Sequence, residues 1–310
     1  MRAVAGETPY FEGETIKWII PYRPGGGYDE YSRLIAPVFE KHTGARVDLV
    51  NLPGGGGMRG AVEIFRAPTD GFHIGFLNGS GLMASSLGGT APDGWDFARY
   101  SFIGRVASEP RVMIVNAKGP FTDFRSFRDA DRPVVAGATG LGGSTYVDSV
   151  IAGQILDLEQ KVVHGFNNSA DIRLALLRGD VDCMWGSLGS AYEGLVAGDF
   201  RAILTLTPSD DPVLAPALDI ETAAEGRLNG HQKRSLFDAW HSLSEIGRPV
   251  AGPPDLPTDR LVLLREALAQ TLADPALISA AQDANRLISP LSGEQTAEIA
   301  QRFASIDTET

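Results

Sequence analysis

Glycine, hydroxyl and amide residues recur in this chain at four places where they could seat an anion. They are Gly25, Gly26 and Gly27 ahead of Tyr28 and Asp29; Gly54 with Gly55, Gly56 and Gly57; Asn78 to Gly81, with Ser80 inside it; and Thr139 to Ser144, with Gly142 and Gly143. Each cluster follows a β-type run. Glycine lets a ligand approach the backbone closely. A helix opening just behind it offers N–H donors without intrahelical partners, at the positive end of the helix dipole. Such loops suit a carboxylate or phosphate. A tight turn at positive φ accounts for any one cluster equally well. Four clusters at strand ends, where open α/β sheets bind their ligands, favour the anion seat.

Residue types that make or break bonds are present but not assembled. Gly55-Gly56-Gly57-Met58-Arg59-Gly60 satisfies G-x-G-x-x-G after a β-type run, yet Asn78 stands where the ribose-binding acid of a dinucleotide site belongs. No Gly-Lys-Ser/Thr completes a P-loop at Gly25, and WGSLGS, around Ser187, is not G-x-S-x-G. His42, His73, His164, His231 and His241 show no metal-ligand spacing. Cys183, the single cysteine, lies in the apolar run VDCMW and reads as an inert buried thiol, with Trp185 beside it as core. Apart from Asp29, which is placed to cap a helix, the polar groups of the four loops are only hydroxyls and an asparagine among glycines. The expectation is therefore a binding protein with no catalytic residue, cofactor or metal. The alternative is an enzyme of transferase type on a two-lobed frame, which needs a nucleophile or general base in the cleft.

The elements that must position these loops follow from periodicity. The first hundred residues alternate β-type runs (TIKWIIPY, ARVDLVNL, GFHIGFLNG) with helical patterns, the signature of βαβ units on a parallel sheet. Tyr31, Leu34, Ile35, Val38 and Phe39 repeat at helical spacing up to a stop at Gly44, with Asp29 placed to cap the start. RPVVAGATGLGGSTY and KVVHGFNNSADIRLALLRGDVDCMW repeat the grammar, and FRAILTLTP is a further strand. GRPVAGPPDLPTD reads as a connection. After it Leu261, Leu264, Leu268 and Leu272 share one helix face, and Ser292 with Gln295 forms a capping box. The 310 residues suit two α/β domains. A formal net charge of -12, with no Lys/Arg cluster, argues against nucleic acid. No apolar run approaches the roughly 20 residues of a membrane helix. The opening MRAVAGETPYFEGET lacks the apolar core of a signal peptide, which fits a cytosolic protein or a mature form whose leader was removed.

Taken in order, IKWIIPYRPGGGYDEYSRLIA, VNLPGGGGMRGAVEIFRAPTDGFHIGFLNG, GATGLGGS and LLRGDVDCMWGSLGSAYEGLVAGDFRAILTLT resemble the substrate-binding proteins of tripartite tricarboxylate transporters, the Bug-type extracytoplasmic solute receptors. The resemblance runs over most of the chain. It implies a type II periplasmic-binding-protein-like fold of two α/β domains, with domain 1 at 1–112 and 241–310, domain 2 at 113–240, and a ligand cleft between them. It also implies a monomeric, periplasmic mature protein that captures a small organic acid, whether a di- or tricarboxylate or an aromatic carboxylate, for integral membrane transporter subunits. By position, Gly25 to Asp29 match the first ligand loop and Gly54 to Gly57 the second, with Tyr22 and Arg23 expected at the site just ahead of the first. Thr139, Gly142, Gly143 and Ser144 match the loop from the second domain. Asn168 and Ser187 complete the expected set. Departures from the family pattern are Arg23, the bulky Tyr28, Gly186 and the stretch GFNNSAD. On this reading Arg23 could reach the cleft and hold a second carboxylate.

Overall fold

The computed structural model describes residues 10–304, so most of the opening segment read for a leader lies outside the described residues. In chain order the first part runs β1 (Thr15–Ile20), α1 (Gly27–Thr43), β2 (Arg46–Asn51), α2 (Met58–Phe65), β3 (His73–Phe76), α3 (Gly79–Leu87) and β4 (Ser101–Arg105). The middle part runs β5 (Arg111–Asn116), α4 (Phe124–Arg128), β6 (Val134–Ala138), α5 (Ser144–Leu156), β7 (Gln160–His164), α6 (Ser169–Arg178), β8 (Cys183–Ser187), α7 (Leu188–Val196), β9 (Phe200–Thr205), β10 (Leu218–Asp219), α8 (Ile220–Ala223) and α9 (His231–Glu245). The chain then returns as β11 (Pro249–Gly252), α10 (Thr258–Ala273), α11 (Pro275–Asp283), β12 (Leu291–Ser292) and α12 (Gly293–Ala304).

Two six-stranded sheets result, ordered β12-β4-β11-β3-β1-β2 and β10-β9-β5-β8-β6-β7. β1 pairs in parallel with β2 and β3, and β6 with β7 and β8, as the βαβ patterning requires. The returning β11 is antiparallel to β3 and β4. Side chains alternate across β1: Ile16, Trp18 and Ile20 enter one core with Phe39, Phe76 and the α10 leucines, while Ile19 enters another with Leu82, Phe102 and Phe303. Both faces of this sheet are thus covered, and the apolar run TIKWII is buried from Ile16 onward save for Lys17. Trp185 packs edge-on against Trp240 in the second lobe's core, at 5.1 Å between ring centroids. Burial pushes the Cys183 thiol well up from its ordinary pKa.

Most local signals land where the sequence places them, but GRPVAGPPDLPTD, read as a connection, holds β11 in the middle of the first sheet. Gly44 ends α1 at φ 73°. Leu264, Leu268 and Leu272 are buried on α10, and Ser292 and Gln295 exchange capping hydrogen bonds ahead of α12. Asp29 differs. Gly26 is the cap residue, and Asp29 sits inside the first turn of α1, where its carboxylate accepts from the Gly25 N–H (3.1 Å), Arg33 and Asn51. Burial would raise its pKa, but these donors together hold it below the ordinary value. Its short side chain reaches back to fix the glycine loop instead of capping the helix.

The chain crosses between sheets twice, from Arg105 to Arg111 and from Glu245 to Pro249. The two crossing segments are bonded to each other: the Val106 N–H donates to Arg248 O (3.0 Å) and the Arg248 N–H to Ala107 O (2.8 Å). Arg105 adds Nη1 to Glu245 O at 2.7 Å.

A separate ion cluster ties α1 to α11, where Asp274 accepts from Lys41 (2.8 Å) and caps α11 through the Ala276 N–H. Lys41 first, then that N–H and His42, lower its pKa from 3.8 to about 2. A depressed carboxylate contributes stability above its unfolded pKa and loses it as pH falls through the folded one. Asp274→Asn, which keeps the cap, is therefore expected to lower the melting temperature at pH 7. The gap from the parent should close as pH drops from about 4 toward 2. A gap that stays constant over that range in thermal denaturation would show that the charge contributes nothing.

Candidate ligand-binding site

Five helices start at one cavity between the lobes. Gly26 and Gly27 open α1, Asn78 and Ser80 α3, Ser144 and Thr145 α5, Asn168 and Ser169 α6, and Ser187 with Ser190 α7; all line a space of about 700 Å³, open solvent included. Only α6 carries a side-chain cap, from Asn168 to the Asp171 N–H at 2.9 Å. The starts of α1, α3, α5 and α7 have none among the described residues. First-turn N–H groups left without a cap, at four positive dipole ends facing one hollow, make a seat for an anion.

The wall beside them is a fixed polar lattice. The Tyr22 hydroxyl donates to Gly56 O (2.7 Å) and accepts from Asn78 Nδ2 (2.7 Å), while the Tyr28 hydroxyl donates to Asn78 Oδ1 at 3.4 Å. The two phenol rings stack 5.1 Å apart. Burial pushes both phenols up, so they remain neutral donors across the physiological range. In the second lobe the Thr139 N–H donates to Thr145 Oγ1 at 2.9 Å, and Asn168 Nδ2 crosses to Pro24 O, also 2.9 Å.

The cavity also holds charge, but from other residues than the Arg23 expected from sequence. Glu109, Arg111 and Arg248 line it. Arg248 Nε donates to Glu109 Oε2 (2.8 Å) and Nη2 to Ser187 Oγ (3.0 Å), with its guanidinium 4.4 and 4.9 Å from the Tyr28 and Tyr31 ring centroids. Burial would lower its pKa, but Glu109, Tyr28 and Tyr31 together outweigh that and hold it above the ordinary value. Arg111 gives Nε (2.8 Å) and Nη2 to Asp148 Oδ2, whose other oxygen accepts from Trp240 Nε1 at 2.8 Å. The available signal was a charged residue flanking an apolar strand at each crossing, in EPRVMIV and GRPVAG. Asp148 is bonded through both oxygens, whereas Glu109 gives Oε2 to Arg248 and keeps Oε1 buried without a hydrogen-bond partner.

Of the residues expected from sequence, Tyr22, Gly26, Gly27, Tyr28, Asn78, Ser80, Thr139, Ser144, Asn168 and Ser187 meet at this cavity. Arg23, Gly25, Asp29, Gly55, Gly56, Gly57, Gly142 and Gly143 are not in its lining. Arg23 is exposed and, with Gly55 and Gly56, faces a separate hollow that also holds Arg59 and His164. Gly56 lies instead where the lobes touch. A Cβ on Gly56 would stand 2.8 Å from Gly143 Cα and 2.9 Å from Leu141 O, and one on Gly81 would stand 2.9 Å from Ser144 N and closer still to Gly142 O. At Gly27 a Cβ would meet Ser190 Oγ at 2.8 Å. Several of these glycines let one lobe's backbone approach the other.

Two α/β lobes, each on its own sheet and joined by paired crossings with helix starts facing the gap, form a periplasmic-binding-protein-like two-domain fold. Similar solved structures include MatC from Rhodopseudomonas palustris with bound malate (18% identity, 94% of this chain and 98% of that one, TM-score 0.76). The periplasmic binding protein BugD is another (18%, 95% of each chain, TM-score 0.76). In sequence the chain is 26% identical over 218 residues to a UPF0065 protein of Pseudomonas sp. (strain P51), covering 69% of this chain and 64% of the relative. It is 25% identical over 287 residues to a UPF0065 protein of Agrobacterium vitis, covering 89% and 76%. No protein-family model matches. The chain resembles the Bug-type solute receptors over most of its length, and its fold is theirs.

Proposed function

We propose that this protein is a solute receptor: it captures a small organic carboxylate in the interlobe cleft and delivers it to the membrane subunits of a transporter of the tripartite tricarboxylate type, without chemical turnover. The observation that carries the reading is the convergence of five helix starts, four uncapped, on one cavity. MatC's bound malate shows that a protein of this fold holds such an acid. No helix among the described residues is long and apolar enough to cross a membrane, which fits a periplasmic receptor working beside separate membrane subunits. The cavity lining contains no histidine or cysteine, and its carboxylate is paired with arginine, which favours a receptor over an acid–base enzyme. Monomeric action suits a cleft built within one chain.

A thermal-shift screen of aliphatic mono-, di- and tricarboxylates and aromatic acids tests this. A ligand bound only by the folded state raises the melting temperature with the logarithm of its concentration over Kd. At least one acid is expected to do so and to be recovered unchanged. Absence of any response across the panel, or protein-dependent product formation, would overturn the proposal.

A further inference from the structure

Arg111 and Arg248 each use the same edge of the guanidinium for an acid. Nε and Nη2 bind Asp148 in one case and Glu109 in the other, with Ser187 added for Arg248. Nη1 of each enters none of these bonds. Nor is it among the sealed, unpartnered atoms of the described residues, which include Nε and Nη1 of Arg286. Both arginines line the same cavity. Their orientations are fixed from behind: Trp240 holds Asp148, and the faces of Tyr28 and Tyr31 leave Arg248 only its in-plane donors. An arginine whose rotamer is set by a carboxylate has less entropy to lose when a second one binds.

We propose that Arg111 and Arg248 form a second carboxylate seat opposite the uncapped helix starts, so that the cleft selects acids with two carboxylates over those with one. This rests on the carboxylate-receptor reading above and names the chemical class that reading leaves open. One carboxylate lies on backbone N–H groups of the helix starts, and the other takes the Nη1 donors. The acids behind the arginines cancel their formal charge, so what the seat supplies is directed donors on a fixed frame. Selectivity therefore comes from geometry and survives added salt better than an exposed charge would.

The test uses the intact protein with straight-chain pairs: succinate against butyrate, glutarate against valerate, adipate against hexanoate. Arg111→Gln is the variant, because a glutamine can still donate to Asp148; its unliganded melting temperature checks the fold, and Arg111→Lys serves as a second variant if it falls. The parent is expected to bind one diacid about thirtyfold or more tighter than its monoacid. Arg111→Gln should weaken that diacid by about tenfold or more and the monoacid by less than about threefold. Equal parent affinities within a pair, or equal losses for both acids in the variant, would overturn the seat. If an aromatic or other monoacid binds while no diacid does, the seat falls and the receptor reading stands. If no acid of any kind binds, the receptor reading falls too.

Discussion

Replacing Gly81 by alanine is expected to raise the dissociation constant of the bound acid by about a hundredfold, some 2.7 kcal/mol, while leaving the unliganded protein about as stable as the parent. Gly81 lies within α3 and is not among the residues at positive φ, so alanine fits the backbone and improves helix propensity. The obstacle is across the gap. The new Cβ would stand 2.9 Å from Ser144 N and nearer still to Gly142 O, both backbone atoms of the other lobe. An open cleft carries those backbone atoms away, so the closed arrangement bears the larger penalty; the Asn78 amide, 2.7 Å from the new Cβ within the same lobe, must shift in either state. Calorimetry gives the affinity, and small-angle scattering should show that ligand no longer compacts the variant. Parental affinity with normal compaction would mean that the lobes do not close through this contact.

The second large effect is on stability. Arg248→Met should destabilise the protein by about 3–5 kcal/mol, since the buried Glu109 then loses its ion-pair partner. Adding Glu109→Gln should restore about half of that loss or more, because the amide carries no charge to desolvate. Urea unfolding of both single variants and the double gives the coupling. Strict additivity would show that the pair acts as two separate residues and that the loss comes from Arg248's packing on Tyr28 and Tyr31.

Local periodicity made most elements legible. The β1 run, the α1 stripe ending at Gly44, the α10 leucines and the Ser292–Gln295 box all depend on residues within a few positions of one another. The charged part of the cleft was not legible for the opposite reason. Arg248 and Glu109 are 139 residues apart and Arg111 and Asp148 are 37 apart, and nothing local in GRPVAG says which carboxylate it will meet. The glycine loops were found but not resolved by role. Gly27 and Gly56 are glycine because something comes close to the backbone, yet composition cannot say whether that neighbour is a ligand or the opposite lobe. Asp29 shows the same limit at shorter range: its type suited a cap, but the helix began two residues earlier.

The hydrogen bonds joining the two crossing segments have a mechanical consequence. Val106, Ala107 and Arg248 are laced into a short ladder, so neither crossing can twist without the other. Two independent linkers would let the lobes slide, roll and splay separately. A laced pair leaves chiefly one soft rotation, about the ladder itself. If the protein is the solute receptor proposed above, occupancy of the cleft would then be expressed in a single angle, visible on the outer surface and away from the solute.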